Sequence, residues 1–369
     1  MVFLSRVQVR CDVKRLYYKQ SFMKNITINL LFGALFMNSM GSLFAQKVSV
    51  VSKPAERKVD ILVDGKPFTA YIYPSDSVLK KPVLFPIHTA QGTAVTRGYP
   101  MAPRAGERVD HPHHVGAWLN YESVNGNDFW NNSTAIKNRS KYGTIKHREV
   151  IKTKSGKGKG SLSVSADWYL ADGKGAHVLN EKTSFNFYAR NQIRIIDRST
   201  TLTANADTVY FKDVKDGFFA IRLARELEHP SNQADNFVDA NGIVTRVEKM
   251  DNSNITGRYR SSEGIEGDEV WSTRARWVNL SGRIGSEDIA VCLIDHPQNP
   301  KYPTYWHARG YGLFAANPLG AKVFSNGKDA LNLKLAPGQS VTFKYRMVIA
   351  SGKLSDEEIN VLAAEYGKL

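Results

Sequence analysis

The sequence has little cysteine and no long apolar run. Its 369 residues include two cysteines, Cys11 and Cys292, too few for a disulfide-stabilised scaffold. The longest apolar run, Ile26 to Met37, is shorter than the roughly 20 residues that a membrane-spanning helix needs. A Walker loop, a Rossmann glycine pattern, a G-x-S-x-G elbow and internal repeats are all missing from the sequence. The chain therefore gives no signal for a nucleotide-dependent enzyme, an α/β-hydrolase or a repeat protein.

The N-terminal residues predict an export signal. From Met23 the sequence has one basic residue, Lys24, then the apolar run, then small residues that end at Ala45. This order is typical of a secretory signal peptide, and residues 1–22 are interpreted as an upstream extension. We expect residues 1–45 to be removed, leaving residues 46–369 as a single β-sandwich domain in the periplasm or outside the cell. Cys292, in the apolar run IAVCLI, is predicted to be buried and unreactive.

Basic residues outnumber acidic ones. The formal net charge is +15, and residues 46–369 retain 44 basic and 34 acidic residues, a net charge of +10. Four lysines between positions 152 and 159 alternate with glycine and serine but not with aromatic residues. This pattern favours a solvated hairpin loop over a polyanion-binding surface, and we expect no nucleic-acid partner.

Alternation of apolar and polar residues predicts an all-β protein. The run KVDILVDGKPFTAYIYP alternates on both sides of Asp64-Gly65, the dipeptide of a tight hairpin, and similar runs follow without helical segments between them. This succession favours an antiparallel β-sandwich. One helix is expected at the C-terminus, where Ser355 and Glu358 form a capping-box pattern and Gly367 lies near the end. The preceding run, LNLKLAPGQSVTFKYRMVIASG, predicts a strand pair around Pro337-Gly338. It resembles the closing strands of galactose-mutarotase-like supersandwiches, which include many sugar-processing enzymes.

A segment rich in histidine and acidic residues is the first candidate site. Three of the nine histidines fall within residues 111–114, and a His-x-His spacing on an extended strand would place two imidazoles on one face. Such a pair suits a metal ion or proton transfer, although a turn that hydrogen-bonds only to itself is the alternative. The candidate residues of this segment are Arg97, Asp110, His111, His113, His114, Trp118, Glu122, Asn125, Asp128 and Trp130.

A second segment with the same residue types follows the apolar run IAVCLI. Because loops at strand ends build binding sites on rigid scaffolds, its histidines are expected to face residues 111–114. Aromatic rings beside polar side chains suit a sugar, and a packed aromatic loop is the alternative. The candidates here are Asp295, His296, Tyr305, Trp306, His307 and Arg309. Glu226 is a further candidate acid or base, on a strand that is expected to present Arg222, Ala224 and Glu226 on one face.

Several longer strings carry a family resemblance. VTRGYP, GERVDHPHHVGAWL, VNGNDFW, WSTRARWV and IDHPQNPKYPTYWHARGYGLFAANPLG resemble a secreted bacterial family that carries the label "methane oxygenase PmoA". The resemblance extends over nearly all of residues 80–350 and implies no settled activity. The label itself conflicts with the sequence, since the membrane subunit it refers to needs several apolar spans. Members of this family are similar in setting to secreted proteins of bacteria that degrade plant and host glycans, so the resemblance implies sugar chemistry.

The sequence thus favours a carbohydrate-active enzyme, a hydrolase or lyase, that acts on a glycoside at a cleft lined by His, Asp and Trp. The ligand is expected to be a small molecule or an oligosaccharide. His113 and His114 would bind a metal or move protons, and Asp110 or Asp295 would orient an imidazole. A divalent metal held by His111, His113 and His114 is the one cofactor considered. A non-catalytic glycan-binding protein is the main alternative, and a His-ligated redox metal protein is a minor one.

Overall fold

The computed structural model describes residues 45–369. The expected signal peptide and Cys11 lie outside the described residues, apart from Ala45. No helix in residues 45–369 is both long enough and apolar enough to cross a membrane.

Strands dominate this part of the chain. In order they are β1 (Lys47–Lys53), β2 (Lys58–Val63), β3 (Lys66–Ile72), β4 (Val83–Ile87), β5 (Ala117–Tyr121), β6 (Thr144–Lys154), β7 (Gly156–Lys157), β8 (Lys159–Tyr169), β9 (His177–Arg190), β10 (Ile193–Ala204), β11 (Val209–Tyr210), β12 (Gly217–Arg222), β13 (Asp235–Val238), β14 (Val244–Val247), β15 (Arg258–Ser261), β16 (Trp277–Ile284), β17 (Glu287–Asp295), β18 (Tyr305–Arg309), β19 (Leu313–Asn317), β20 (Lys334–Leu335) and β21 (Ser340–Ser351). The helices are α1 (Leu170–Gly173), α2 (Ala321–Phe324) and α3 (Asp356–Tyr366), with 3₁₀ turns at Pro54–Glu56, Arg225–Leu227 and Gly267–Val270.

Two large antiparallel sheets form a sandwich. The first has nine strands in the order β18-β19-β12-β5-β4-β3-β2-β1-β7, and the second has eight in the order β15-β16-β17-β21-β10-β9-β8-β6. Alternate side chains of both sheets meet in one apolar core. Phe219 of β12 stacks on Tyr345 of β21 with ring centroids 5.1 Å apart. The predicted antiparallel β-sandwich is confirmed.

Two local predictions are also confirmed. Asp64 and Gly65 have φ values of 49° and 80° in the turn between β2 and β3, the left-handed pair that a tight hairpin requires. Ser355 caps α3, and the Glu358 carboxylate accepts a hydrogen bond from the Ser355 amide to complete the capping box. Helix α3 then packs on the outer face of the eight-stranded sheet, with Leu362 in the same apolar cluster as the buried Cys292.

Two strand predictions are wrong in part. The runs on either side of Pro337-Gly338 do not pair, because β20 pairs with β11 while β21 pairs with β10 and β17. Strand β12 also ends at Arg222, so Glu226 is not on its face. The chain turns at Arg225–Leu227 and buries Leu227 in the core, and this turn carries the following Glu228 into the protein.

The outer face of the nine-stranded sheet carries the site. On its central strands, Trp118 of β5, Ala220 of β12 and Ala315 of β19 lie side by side and pack in a second apolar cluster, away from the main core. The next strand, β18, places His307 opposite Ala315. The loop that contains residues 97–114 covers this face.

Candidate functional site

Residues 111–114 form a turn and not the extended strand expected for a His-x-His pair. His111 has a φ of 42°, and the His114 amide donates to the His111 carbonyl at 3.0 Å. The buried Arg97 guanidinium explains this shape, because it donates to the backbone carbonyls of Asp110, His111 and His114 at 2.9, 2.9 and 3.1 Å. One guanidinium therefore gathers three carbonyls that an extended strand would point apart.

Two buried arginines hold the Asp110 carboxylate. Arg97 and Arg222 both donate to its Oδ1 atom, Arg222 at 2.7 Å. Burial alone would raise the pKa of Asp110, but the hydrogen bond from His111 and the charges of Arg222 and Arg97 outweigh it and hold the pKa well below its usual range. Asp110 is therefore ionised at every pH at which the protein would work.

His111 and Asp110 form an imidazole–carboxylate pair. The His111 Nδ1 atom lies 2.8 Å from Asp110 Oδ2, and the imidazole side chain is 41% exposed. An ionised carboxylate only accepts hydrogen bonds, so Nδ1 carries the proton and Nε2 is the nitrogen left for a ligand. The ring lies parallel to that of Tyr311 at 5.2 Å and to that of His114 at 4.8 Å, which fixes its plane.

His113 and His114 are buried behind this pair. Burial is the main reason why the pKa values of both imidazoles lie well below their usual range, so both rings are neutral. Arg222 Nη1 lies 3.3 Å from His114 Nδ1, and since arginine only donates, the proton of His114 is on Nε2. That Nε2 atom, and the Nε2 atom of His113, have no hydrogen-bond partner within residues 45–369.

The inner wall of the site is aromatic and contains one unusual lysine. Trp118 and Trp130 are buried with ring centroids 5.3 Å apart, and His114 stacks on Trp118. Lys81 Nζ lies 5.3 Å from the Trp118 ring and donates to the His113 carbonyl at 2.7 Å. Burial lowers the pKa of Lys81 to about 7, a shift that the nearby Asp128 charge only partly opposes.

A cleft of about 590 Å³ opens in front of His111. Asp110, His111 and Tyr311 line one side of it, and Trp271 and Arg309 also contribute. Burial raises the pKa of Tyr311 to about 12, so its phenol is protonated and can donate a hydrogen bond. The cleft therefore combines flat rings, an exposed imidazole and charged groups.

A second group of predicted residues lies near the edge of the same sheet. His307 Nδ1 donates to the Lys215 carbonyl at 3.0 Å and lies 3.5 Å from Asp216 Oδ1, and burial lowers its pKa to about 3. Burial raises the pKa of Glu122, and the charges of Asp216 and Asp128 add to the shift. Glu122 and Asp128 line a separate pocket of about 470 Å³.

The structure does not bring Asp295 and His296 to residues 111–114. Asp295 ends β17 in the opposite sheet and accepts hydrogen bonds from the amides of His296 and Thr304, while burial raises its pKa to about 7. His296 packs edge-on against Tyr366 of α3. These two residues hold the loop that leads to β18.

The remaining predicted residues make other contacts. Trp306 is in the main core, and its indole donates to the Ala275 carbonyl at 2.9 Å. Tyr305 stacks on Phe324 of α2, and Asn125 shapes a turn by accepting from the Tyr210 amide. Glu226 lines a different cavity of about 620 Å³ beneath β13 and β14.

Sequence reasoning did not select several residues of the site. Lys81 belongs to a Lys-Lys-Pro string that looks solvated, and Arg222 gave no signal beyond strand alternation. Asp268 and His229, which also line the cleft, lie in ordinary polar loops. Only Tyr311 and Trp271 stood in strings already rich in aromatic residues.

Within residues 45–369, no three His, Cys, Asp or Glu side chains are grouped so as to hold a metal ion. The three imidazoles of the turn pack against one another instead, His113 edge-on to His114 at 4.3 Å. A metal at these histidines stays a prediction.

The fold and cleft define a β-sandwich protein with a polar and aromatic site on one sheet. The chain belongs to a family of unknown function (DUF6807), which it matches over residues 58–364. The family description names no activity and does not contain the oxygenase label. No curated protein sequence matches the chain.

Some solved structures show a distant likeness. The galactosidase domain of the α-galactosidase-sucrose kinase AgaSK has 9% identity and a TM-score of 0.40, and the match covers 84% of this chain. The chain spans only 42% of the length of that protein. A GalM/aldose epimerase homologue from C. elegans has 10% identity and a TM-score of 0.26, with 84% of this chain and 100% of the other covered. Likenesses this remote assign no activity.

Proposed function

We propose that the protein is a carbohydrate-active enzyme that acts on a glycoside, with the His111 imidazole as its acid–base group. The observation that carries the proposal is the His111–Asp110 pair at the mouth of the cleft, 2.8 Å apart, with its carboxylate held by two buried arginines. Because Asp110 is also the shared counter-ion of Arg97 and Arg222, its position and its charge beside His111 are fixed.

The pair is suited to proton transfer. When Nε2 takes a proton, the ring becomes positively charged, and the ionised Asp110 beside Nδ1 stabilises that charge. Asp110 itself cannot donate a proton, because its pKa lies well below its usual range. In a hydrolase, the His111 imidazolium would give its Nε2 proton to the leaving oxygen as the glycosidic C–O bond breaks. The neutral Nε2 atom would then take a proton from the water whose oxygen bonds to the anomeric carbon. In a lyase, the neutral Nε2 atom would take a proton from the carbon next to the one that carries the leaving oxygen. The C–O bond breaks as the double bond forms, and the departing oxygen takes the proton from Nε2.

The cleft favours a sugar as the ligand. Its volume of about 590 Å³ lies within the range of small-molecule sites, roughly 300–1,000 Å³. Tyr311 and Trp271 offer flat rings for the apolar face of a sugar, while His111 and Arg309 can meet its hydroxyl groups. His113 and His114 act here as neutral positioning groups that support the His111 ring.

A glycoside panel tests the proposal. The purified protein is incubated with 4-nitrophenyl glycosides and oligosaccharides; nitrophenolate or reducing sugar reports hydrolysis, and ultraviolet absorbance of an unsaturated sugar reports elimination. We expect His111→Gln to lose turnover roughly 10²- to 10⁴-fold while it still binds the substrate.

The control is His177→Gln, since His177 lies on β9 in the other sheet. It should retain full turnover. Full activity in His111→Gln would refute the role of His111, and binding without turnover by the unchanged protein would favour the glycan-binding alternative.

We further propose that residues 46–369 are the exported form, a single domain that acts in the periplasm or outside the cell. The proposal rests on the basic residue, apolar run and small residues that precede Gln46. Mass spectrometry of protein exported by a Gram-negative host should find an N-terminus at Gln46. An intact N-terminus in the cytoplasmic fraction would contradict it.

A further inference from the structure

A second histidine–carboxylate pair also lines the cleft. His229 Nδ1 lies 2.9 Å from Asp268 Oδ1, and the Tyr259 amide donates to His229 Nε2 at 3.3 Å. Because the amide occupies Nε2 as an acceptor, the ring proton is on Nδ1 and points to Asp268. Both nitrogens of His229 are thus in use, and the ring serves to hold the carboxylate.

Gly310 lies close to Asp268 and His229. A Cβ atom at Gly310 would lie 3.0 Å from Asp268 Oδ1 and 3.3 Å from the Cβ atom of His229. The turn that follows β18 therefore packs closely against the pair at Gly310. The Asp268 side chain is still 78% exposed, so its carboxylate can accept hydrogen bonds from a ligand.

Complementary groups stand next to Asp268. Trp271 comes directly after the 3₁₀ turn that contains Asp268, and its amide donates to the Asp268 carbonyl at 3.2 Å. The Arg309 guanidinium lies 5.8 Å from the Trp271 ring centroid and 5.9 Å from that of Tyr311. This part of the cleft offers a carboxylate acceptor, a guanidinium donor and an aromatic ring, the set that recognises a sugar ring with neighbouring hydroxyls.

The charges of the cleft favour a neutral sugar. Arg108 forms salt bridges with Glu228 and Asp235. Asp110 forms salt bridges with Arg97 and Arg222. These charges therefore compensate one another within the protein. Asp268 is held by a histidine whose pKa is lowered, mainly by burial, and is therefore paired with a neutral ring. A carboxylate on the sugar beside Asp268 would be repelled by the Asp268 charge, whereas hydroxyls would donate to it. Arg309, which forms no salt bridge within residues 45–369, can donate to the oxygens of either sugar.

We propose that Asp268, positioned by His229, binds sugar hydroxyls and selects a neutral sugar over the corresponding uronic acid. The inference rests on the proposed function in taking the ligand to be a carbohydrate, but it does not depend on His111 catalysing a reaction.

Calorimetric titration with matched probes tests the inference. The probes are 4-nitrophenyl β-glucoside and β-galactoside and their glucuronide and galacturonide, which differ only in the group at C6. We expect the unchanged protein to bind at least one neutral probe about tenfold more tightly than its uronide. Asp268→Asn keeps an acceptor oxygen for His229 and so should fold. This variant should bind the neutral probe about tenfold more weakly, and its preference for the neutral probe over the uronide should be smaller.

The matched control is Glu269→Gln, an exposed carboxylate on the same 3₁₀ turn that does not line the cleft. It should bind like the unchanged protein. Three results would overturn the inference: unchanged affinity in Asp268→Asn, a preference for the uronide, or binding of none of the four probes.

Failure of this inference and failure of the proposed function can be told apart. If His111→Gln loses turnover while Asp268→Asn binds normally, the catalytic proposal is supported and the binding role of Asp268 is refuted. If Asp268→Asn binds the probe more weakly while the unchanged protein turns over no glycoside, the binding role of Asp268 is supported and the catalytic proposal is refuted.

Discussion

Lys81 provides a strong test of the charge distribution in the site. Its side chain is 4% exposed, its Nζ atom donates to one backbone carbonyl, and within residues 45–369 no carboxylate forms a salt bridge with it. Burial lowers its pKa to about 7. Its unfolded-state pKa is about 10.4, so the charged form is destabilised in the folded protein by on the order of 4 kcal/mol.

The sign of the pH dependence follows from this pKa. Between about pH 7 and roughly pH 10.4 the unfolded chain holds more protons than the folded one, so the free energy of unfolding rises with pH. Below pH 7 the lysine is charged in both states and the full penalty applies. Lys81→Met keeps the length of the side chain and removes the charge, although the His113 carbonyl loses a donor at a cost of about 1 kcal/mol. We expect a net stabilisation of about 3 kcal/mol at pH 6 that disappears near pH 10.

Urea unfolding of both proteins at several pH values, followed by tryptophan fluorescence, measures this difference. Lys80→Met is the matched control, because the neighbouring Lys80 is also buried but lies 2.8 Å from the Asp172 carboxylate. That variant should lose about 1–3 kcal/mol at each pH. If Lys81→Met is less stable at pH 6, or if its difference from the unchanged protein is the same at every pH, then the pKa assigned to Lys81 is wrong.

Three further predictions concern other parts of the structure. Asp110→Asn should lower the free energy of unfolding by about 3 kcal/mol, since Arg97 and Arg222 lose their shared counter-ion. Urea unfolding should show this difference at pH 5. Because the pKa of Asp110 is lowered, the difference should shrink only in strong acid. Ser355→Ala should cost about 1 kcal/mol by removing the cap of α3, measured in the same way. Burial raises the pKa of Cys292, so iodoacetamide should leave it unmodified in the native protein and label it in urea, as peptide mass spectrometry will show.

Local signals in the sequence were sufficient for much of the fold. The Asp64-Gly65 turn and the cap of α3 depend on residues a few positions apart, so the sequence contains all the information they need. The pairing of β20 with β11 depends instead on residues more than 100 positions apart. An alternating run shows that a strand exists, but it does not show which strand will be its neighbour.

The second candidate segment illustrates the same limit within the site. His307 and Arg309 lie on β18 at the edge of the nine-stranded sheet, two strands away from β12, and Arg309 lines the same cleft as His111. Asp295 ends β17 in the other sheet, and Trp306 points into the core because neighbouring residues of a strand face opposite sides. The string looks continuous in the sequence, yet the chain passes from one sheet to the other within it.

The buried arginines show why the chemistry of the site could not be read from the sequence. Arg97 and Asp110 stand in a candidate segment, but Arg222 ends the apolar strand GFFAIR, and only the fold brings it to a carboxylate 112 positions earlier in the chain. That pairing keeps Asp110 ionised and places the ring proton of His111 on Nδ1, so its Nε2 atom is left as an acceptor. Composition identifies the donors and acceptors that a site can use. Their pairing determines which nitrogen of each imidazole carries the proton, and it depends on contacts between distant segments that a single sequence does not display.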